Sequence, residues 1–238
     1  MNKEINKKVL EFIRELSSEH ELLKFAYNKR KFKPGETPVY YSGPVWDDNE
    51  VAAAITTLLS GKWLSSGENV LMFEKGLAKK HNQKHSLMVN SGSSANLVMI
   101  SALKKVMNWS DCDEIIVSPV GFPTTIAPII QCGLAPVFID IEMDTLNFDV
   151  EKIQEKITEK TRAIFVSPVL GNPPDFDKII KLCDYNDIEL ILDNCDSMGT
   201  MWNNRLLSDY AVASSYSFYP AHHITTGEGG AITSNRSD

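Results

Sequence analysis

The sequence predicts an α/β domain in which a mostly parallel sheet of seven strands is flanked by helices. Seven short apolar runs, each bounded by turn residues, lie between residues 85 and 234: HSLMVN, EIIVSP, APVFIDI, RAIFVSP, LILDN, VASSYSF and GAITS. Segments with helical spacing separate most of them. Nearly continuous apolar strands that alternate with helices are typical of parallel sheets covered on both faces.

The N-terminal part lacks this alternation and predicts a helix followed by an arm. Residues 3–30 carry Val9, Phe12, Ile13 and Leu16 at helical spacing. The next stretch, KFKPGETPVYYSGPVWDD, has three prolines and two glycines, which favours an extended arm. We therefore expect an N-terminal helix and arm over residues 1–45 and a large domain over residues 46–238.

Helices are also predicted at the start of the large domain and between most of its strands. The first two span residues 47–59 and 70–81, with GKWLSSG as the loop between them. The others cover SSANLVMISALKKVM, TTIAPIIQCG, VEKIQEKI and DFDKIIKLCDYN, where apolar residues recur with the period of an α-helix.

Composition narrows the function classes. The net charge of −7, without a long basic run, disfavours a nucleic-acid partner. No stretch of about 18 apolar residues exists, so we expect no membrane span. The charged N-terminus lacks the apolar core of a secretory signal, which favours a cytoplasmic protein. The cysteines at 112, 132, 183 and 195 form no CxxC pair, so we expect reduced thiols and no metal site.

Candidate site residues follow the strands, because ligands of parallel sheets collect beyond the carboxyl ends of the strands. After the first strand comes N-S-G-S-S-A-N, residues 90–96. Gly92, Ser93 and Ser94 could cradle a phosphate at a helix N-terminus, or serine could simply cap the helix. After the second strand, Phe122 could lie on a planar cofactor ring or belong to the core.

Two aspartates follow the fifth strand. Asp193 ends an apolar run, where it could pair with the nitrogen of an aromatic cofactor or cap the next turn. Asp196 lies three positions on and could face the same pocket.

The richest segment is SFYPAHHITTGEGG, residues 217–230, after the sixth strand. Ser217 opens it, and His222 is followed directly by a second histidine. Adjacent histidines rarely aim both rings at one ion, so the pair does not predict a metal site. A single catalytic histidine is the better interpretation, because an imidazole can transfer protons near neutral pH.

Taken together, these segments resemble the DegT–StrS family of sugar aminotransferases and dehydratases. The resemblance runs from about Pro44 to the end of the chain, through GKWLSSG, FEKGLAKKH, NSGSSAN, GFPTT, PVFIDI, LGN, LDNCD and SFYPAHHITTGEGGAI. It implies the large domain of a type I PLP-dependent transferase (aspartate aminotransferase-like), without the family's C-terminal small domain. Most members have a cofactor-binding lysine where this chain has His222, and the sugar-nucleotide 3-dehydratases have histidine.

The resemblance also implies roles for the other candidates. Gly92, Ser93 and Ser94 would form the phosphate-binding turn, with help from Ser217. Phe122 would stack on the pyridine ring.

The two aspartates take different places in the family pattern. Asp193 would pair with the pyridine nitrogen. Asp196 stands where most aminotransferase members have a glutamine near the ring hydroxyl. Asn172, in LGN, would lie at the edge of the pocket.

The implied cofactor is pyridoxamine or pyridoxal 5′-phosphate (PMP or PLP), bound without a covalent link because an imidazole cannot form a Schiff base. With His222 moving a proton, the implied reaction removes the 3-hydroxyl of a nucleotide-linked 4-keto-6-deoxyhexose, in 3,6-dideoxysugar and O-antigen lipopolysaccharide biosynthesis. The sugar could be CDP- or GDP-linked. A PLP-dependent sugar aminotransferase and a truncated, non-catalytic remnant remain alternatives.

The family further implies partners. A nucleotide sugar is the expected substrate, and a homodimer the expected assembly. The CDP-sugar branch has a [2Fe–2S] cluster and an NADH-dependent reductase partner, but the cluster's cysteines fall beyond the last residue here. We expect both only for a longer form of the protein.

Overall fold

A computed structural model describes residues 3–19, 31–39, 43, 45–61 and 66–238. The chain forms two compact units, residues 1–73 and 74–238. The boundary predicted between an N-terminal helix and arm (residues 1–45) and a large domain (residues 46–238) stays a prediction.

The first unit is built on two packed helices, α1 (Lys3–Glu19) and α2 (Asp48–Ser60). The Thr56 hydroxyl donates to the Asn6 side chain at 3.1 Å. Helix α2 begins where predicted because Asp47 caps it: its carboxylate accepts from the Asn49 amide, and its own amide donates to Glu50.

Some of the N-terminal prediction lies outside the described residues. The helix expected over residues 3–30 is present to Glu19, and residues 20–30 are not described. Residues 31–39 contain turns but no helix or strand, as expected of an arm. Residues 62–65 of the GKWLSSG loop are also outside the described part.

Helix α3 (Glu68–Lys80) leads into a seven-stranded sheet. The strands of this sheet are β1 (His85–Val89), β2 (Glu114–Val117), β3 (Ala135–Phe138), β4 (Thr161–Val166), β5 (Glu189–Asp193), β8 (Ala213–Ser217) and β9 (Gly230–Ser234). Between β5 and β8 the chain forms a small separate hairpin of β6 (Met201–Trp202) and β7 (Arg205–Leu206). The order is β1-β9-β8-β5-β4-β2-β3, and only β9 runs antiparallel to its neighbours. All seven predicted strands and the mostly parallel sheet are confirmed.

Both faces of the sheet are covered, which explains the unbroken apolar strands. Successive side chains of a strand point to opposite faces of the sheet, so alternate residues belong to the cores on the two faces. In β4, Ala163 and Phe165 join the core beneath α4 (Gly92–Val106) and α5 (Pro123–Gln131). Ile164 and Val166 join the opposite core beneath α6 (Phe176–Asn186).

One predicted helix is wrong. The segment VEKIQEKI forms two short 3₁₀ turns, Val150–Lys152 and Gln154–Lys156, instead of an α-helix. Val150 and Ile153 are both buried and three residues apart, a spacing that a 3₁₀ turn places on one face. Packing of these two side chains therefore overrides the helical pattern.

The β6–β7 hairpin was not predicted, although its turn had a signal. Asn203 and Asn204 connect the two strands with φ of 47° and 61°. Two left-handed residues form the tight turn that suits a hairpin, and asparagine adopts that conformation more readily than most residues. Separately, none of the described helices combines the length and apolarity needed to cross a membrane.

We predict that acid weakens the second unit through His81. This side chain is 1% exposed and packs against the Tyr216 ring at 4.7 Å between centroids. Neither ring nitrogen has a hydrogen-bond partner among the described residues. Burial, helped by the charge of Lys80, lowers the pKa of His81 from 6.5 to about 4.

The sign of the effect follows from proton uptake. Between pH 6.5 and about 4 the unfolded chain binds a proton that the folded chain excludes, so the free energy of unfolding falls as pH falls. The loss reaches at most about 3 kcal/mol. Urea unfolding of a His81→Phe variant at pH about 7 and about 5 should show a smaller difference than the parent. The exposed control His85→Phe should keep the parental difference. If the unfolding free energy changed by the same amount between the two pH values in all three proteins, the prediction would be contradicted.

Candidate active site at the carboxyl edge of the sheet

The predicted site residues meet at one edge of the sheet. Strands β1, β2, β4, β5 and β8 run in the same direction, so the loops that follow them share this edge. Strand β9 begins there: a Cβ on Gly230 would lie 2.2 Å from the carbonyl oxygen of Ser91. The loop after β1 and the start of β9 are therefore in direct contact.

Gly92 is the point where three loops converge. A Cβ on this residue would lie 2.5 Å from Cβ of Ser217 and 3.0 Å from Sγ of Cys195. No real side chain fits that space. The loops after β1, β5 and β8 are thus packed together, as expected if Gly92 and Ser217 serve the same pocket.

The N-terminus of α4 opens onto the same place. Ser91 caps the helix, because its extended backbone lets its hydroxyl accept from the Ser94 amide at 3.1 Å. The prediction that a serine caps this helix is therefore confirmed, and the capping residue is Ser91. The Ser93 hydroxyl contacts the Thr124 hydroxyl at 3.2 Å, which joins the first turns of α4 and α5. Amides of a first helical turn have no partner within the helix and favour an anion.

Asp193 is buried at the centre of a polar network. Its Oδ2 accepts from the Asn96 amide at 2.8 Å and from the Thr125 hydroxyl at 2.7 Å. Its Oδ1 accepts from the backbone amide of Cys195 at 3.2 Å. One oxygen of Asp193 therefore caps the following turn, while the other is fixed by donors from two helices. Its pairing with a cofactor nitrogen stays a prediction.

Asn96, Thr125 and Ser215 are parts of this site that the sequence reasoning did not single out. Asn96 is 1% exposed, donates also to the carbonyl of Thr124, and accepts from Ser215 at 2.6 Å. A polar residue on a helix face that is otherwise apolar, directly after a candidate phosphate turn, was the available signal. Buried amides need partners, and Asp193 is such a partner.

Phe122 does not belong to the core. It lies after β2, directly precedes α5, and is 69% exposed. An exposed aromatic ring at this position remains available to a planar ligand.

His222 lies beside Asp196. The Nδ1 atom of the imidazole is 3.3 Å from Oδ1 of Asp196, with His222 20% and Asp196 52% exposed. The neighbouring imidazole, which can donate a hydrogen bond, lowers the pKa of the Asp196 carboxyl against the opposing effect of burial. The adjacent His223 is exposed, so the two neighbouring histidines occupy different surroundings.

Asn172 lies on the loop after β4, and its side chain is exposed. Its carbonyl accepts from the Asn147 side chain at 2.9 Å. The preceding Gly171 packs against the loop after β5, because a Cβ there would lie 3.1 Å from the carbonyl oxygen of Asp196. The LGN loop therefore borders the site.

The four cysteines are free. Cys195 adjoins the site, and burial together with the charge of Asp193 raises the pKa of its thiol well above the usual value. A low-pKa thiolate would be needed for a reactive cysteine. No cluster of three or more metal-ligating side chains occurs in the described parts of the chain.

Comparison with known proteins agrees with this geometry. A sequence model of the DegT/DnrJ/EryC1/StrS aminotransferase family matches residues 46–238. The chain belongs to this family. It is 40% identical over 205 residues to dTDP-4-dehydro-2,6-dideoxy-D-glucose 3-dehydratase of Saccharopolyspora spinosa, covering 84% of this chain and 44% of that protein.

Solved structures of two relatives share the fold. GDP-4-keto-6-deoxy-D-mannose-3-dehydratase of E. coli, with bound hydrated PLP, has a TM-score of 0.78 at 40% identity, covering 84% of this chain and 52% of that one. PseC of Helicobacter pylori, an aminotransferase in pseudoaminic acid biosynthesis, has a TM-score of 0.78 at 31% identity, covering 84% and 53%. The predicted PLP-dependent aminotransferase fold is confirmed, and the chain spans about half the length of these relatives.

We predict that Gly92→Ala destabilises this DegT-family domain by about 1–3 kcal/mol, because the added methyl group overpacks the junction with Ser217. Urea unfolding provides the measurement. Gly76, inside α3, is the matched control: nothing lies within 4 Å of its Cβ position, so Gly76→Ala should stabilise by roughly 0.5–1 kcal/mol. Equal effects at the two glycines would rule out the close junction.

Asn96→Leu should cost about 1–3 kcal/mol in unfolding free energy, because Asp193 and Ser215 each lose a buried partner. The exposed Asn172→Leu serves as control and should change stability by less than about 0.5 kcal/mol. A neutral effect of Asn96→Leu would mean that the network does not hold Asp193.

Proposed function

We propose that this chain is the cofactor-binding domain of a PMP/PLP-dependent sugar-nucleotide 3-dehydratase. One observation carries the proposal: His222 faces Asp196 at the carboxyl edge, and the loops after β1, β2, β4, β5 and β8 contain no lysine. None of these loops offers an amine for a Schiff base with the cofactor.

The residues at this edge suit a phosphorylated pyridine ring. The absence of a side chain on Gly92 lets Ser217 at the end of β8 approach the N-terminus of α4, and the Ser93 hydroxyl lies in the first turn of the same helix. Dipoles and free amides of a helix N-terminus stabilise a phosphate. These groups would hold the cofactor without a covalent bond.

The ring would lie between Phe122 and the network around Asp193. The exposed Phe122 offers an aromatic face, and the acceptor oxygens of Asp193 suit a protonated ring nitrogen. The donors from Asn96 and Thr125 keep that carboxylate in one orientation.

When bound, PMP supplies an amine that condenses with a ketone and a ring that takes up electrons as a proton leaves its methylene carbon. His222 would accept that proton as a general base, a role that typically contributes about 10²–10⁴-fold in rate. Asp193 would meanwhile face the ring nitrogen. The 3-hydroxyl of the sugar would leave with the electron pair of its C–O bond and take up a proton to depart as water.

Amine transfer is the competing function, and the similarity to PseC supports it. The histidine argues against it, because an imidazole cannot displace an amine product by forming its own Schiff base. The relatives named above act on dTDP- and GDP-linked sugars by name, so the nucleotide stays open. The homodimer, the [2Fe–2S] cluster and the reductase partner stay predictions.

We expect borohydride to trap PLP covalently on a His222→Lys variant and not on the parent. The new amine would stand where His222 now lies, whereas His223→Lys places an amine one residue away and serves as the matched control. Intact-protein mass after reduction gives the readout. A covalent adduct on the parent, or equal trapping on both variants, would contradict the proposed placement of the cofactor.

The reaction itself can be tested with PMP and CDP-, GDP- or dTDP-linked 4-keto-6-deoxyhexoses. Mass spectrometry should show a 4-keto sugar that has lost one oxygen atom, because hydrolysis restores the ketone while PMP is converted to PLP and its amine leaves as ammonia. His222→Asn should abolish this product. An aminated sugar formed with glutamate would instead indicate an aminotransferase. Absence of any absorbance change with added PMP would favour the non-catalytic remnant.

A further inference from the structure

Asp196 is a charged side chain that contacts His222. Their loops are neighbours because β5 and β8 are paired in parallel, with Asp193 opposite Ser215. The contact joins Oδ1 of Asp196 to Nδ1 of His222 at 3.3 Å. This is slightly longer than an ideal N–H···O hydrogen bond, and catalytic contacts commonly tighten only when a ligand is bound.

The backbone around Asp196 is held firmly. Ser197 bonds to Asn194 through its hydroxyl at 2.6 Å, and Thr200 donates to Ser197 from its amide at 2.9 Å. The Thr200 hydroxyl also donates to the carbonyl of Gly171 at 3.0 Å. The carboxylate is therefore presented from a cross-linked turn.

The backbone around His222 is held in the same way. Its amide donates to the carbonyl of Tyr219 at 3.0 Å, and the Thr225 hydroxyl donates to the carbonyl of Phe218 at 2.8 Å. Two hydrogen-bonded turns thus bring one carboxylate and one imidazole together. Side-chain rotation alone can then shorten the contact between them.

This pairing decides which nitrogen of His222 is free. A neutral imidazole carries its proton on one nitrogen and a lone pair on the other, while a carboxylate only accepts hydrogen bonds. We propose that Asp196 is a positioning residue that keeps the proton of neutral His222 on Nδ1, so that Nε2 is the atom that accepts a proton. Asp196 then also stabilises the imidazolium that forms.

The carboxyl is ionised under neutral conditions, as this role requires. The His222 imidazole lowers the pKa of Asp196, and the nearby His223 acts in the same direction. The proposed role differs from direct contact of Asp196 with a cofactor. The position of the proton on His222 does not depend on the proposed function; the use of Nε2 as the catalytic base does.

The first experiment needs no cofactor and no substrate. Nitrogen-15 NMR of histidine-labelled protein at neutral pH reports which ring nitrogen carries the proton, and His222→Asn identifies the signals. In the parent, neutral His222 should be protonated on Nδ1. Asp196→Ala should shift the population toward the Nε2–H form, and Asp196→Asn should shift it less, because an asparagine oxygen can still accept.

Glu228→Gln is the matched control. Glu228 is an exposed carboxylate on the same loop as His222, and no contact joins it to the imidazole in the described structure. Its removal should leave the tautomer unchanged. A parent protonated on Nε2, or an Asp196→Ala variant with the parental tautomer, would overturn the proposal. Backbone amide spectra establish that each variant is folded.

A second experiment separates this proposal from the proposed function. With PMP added in D₂O, the methylene protons of the cofactor should exchange with solvent in the parent. Asp196→Ala should slow exchange by about tenfold or more, which is part of the roughly 10²–10⁴-fold that a general base supplies, with little change in PMP affinity. Unchanged exchange despite an altered tautomer would overturn the positioning role.

The remaining outcome concerns the function alone. If the tautomer responds as expected but the parent shows no exchange with bound PMP, the placement of Asp196 stands and the role of His222 as base fails.

Discussion

The buried carboxylate of Asp193 is the constraint on which the site depends. Burying a carboxylate is costly unless donors surround it, and here the donors come from Asn96 on α4, Thr125 on α5 and the turn after β5. Two helices and a strand are therefore fixed relative to one another by a single polar group. Any ligand that uses Asp193 meets a carboxylate whose orientation is already set.

The other side of the site is fixed by close packing. Gly92 and Gly230 each lack the space for a Cβ, because Ser217 approaches the first and Ser91 the second. These contacts bring the N-terminus of α4 against the segment that carries His222. Hydrogen bonds to Asp193 and the close approach of Gly92 and Gly230 to their neighbours thus fix the same edge of the sheet independently.

A change of reaction on this scaffold needs little change of structure. The chain matches a dehydratase and an aminotransferase with the same TM-score of 0.78, so the fold does not distinguish the two chemistries. We propose that the chemistry depends on the group at position 222 and the carboxylate beside it. An imidazole held by a carboxylate can move a proton but cannot carry a cofactor covalently.

The sequence by itself determined the seven strands, most helices and the loops that carry the candidate residues, because apolar periodicity and turn residues are local properties. It also marked Gly92, Phe122, Asp193 and His222, because each stands out against its surroundings in the chain. It misjudged VEKIQEKI, where burial of Val150 and Ile153 selected 3₁₀ turns. Neighbouring packing is not visible in a local pattern.

Only the tertiary structure decided which residues act together. Asn96 lies 97 positions from Asp193 and 119 from Ser215 in the chain, yet bonds to both. The contact between Asp196 and His222 exists because β5 and β8 are neighbours in the sheet, an order that no local spacing encodes. The sequence therefore indicated several groups of the site, whereas the order of the strands decided their partners and brought in Asn96, Thr125 and Ser215.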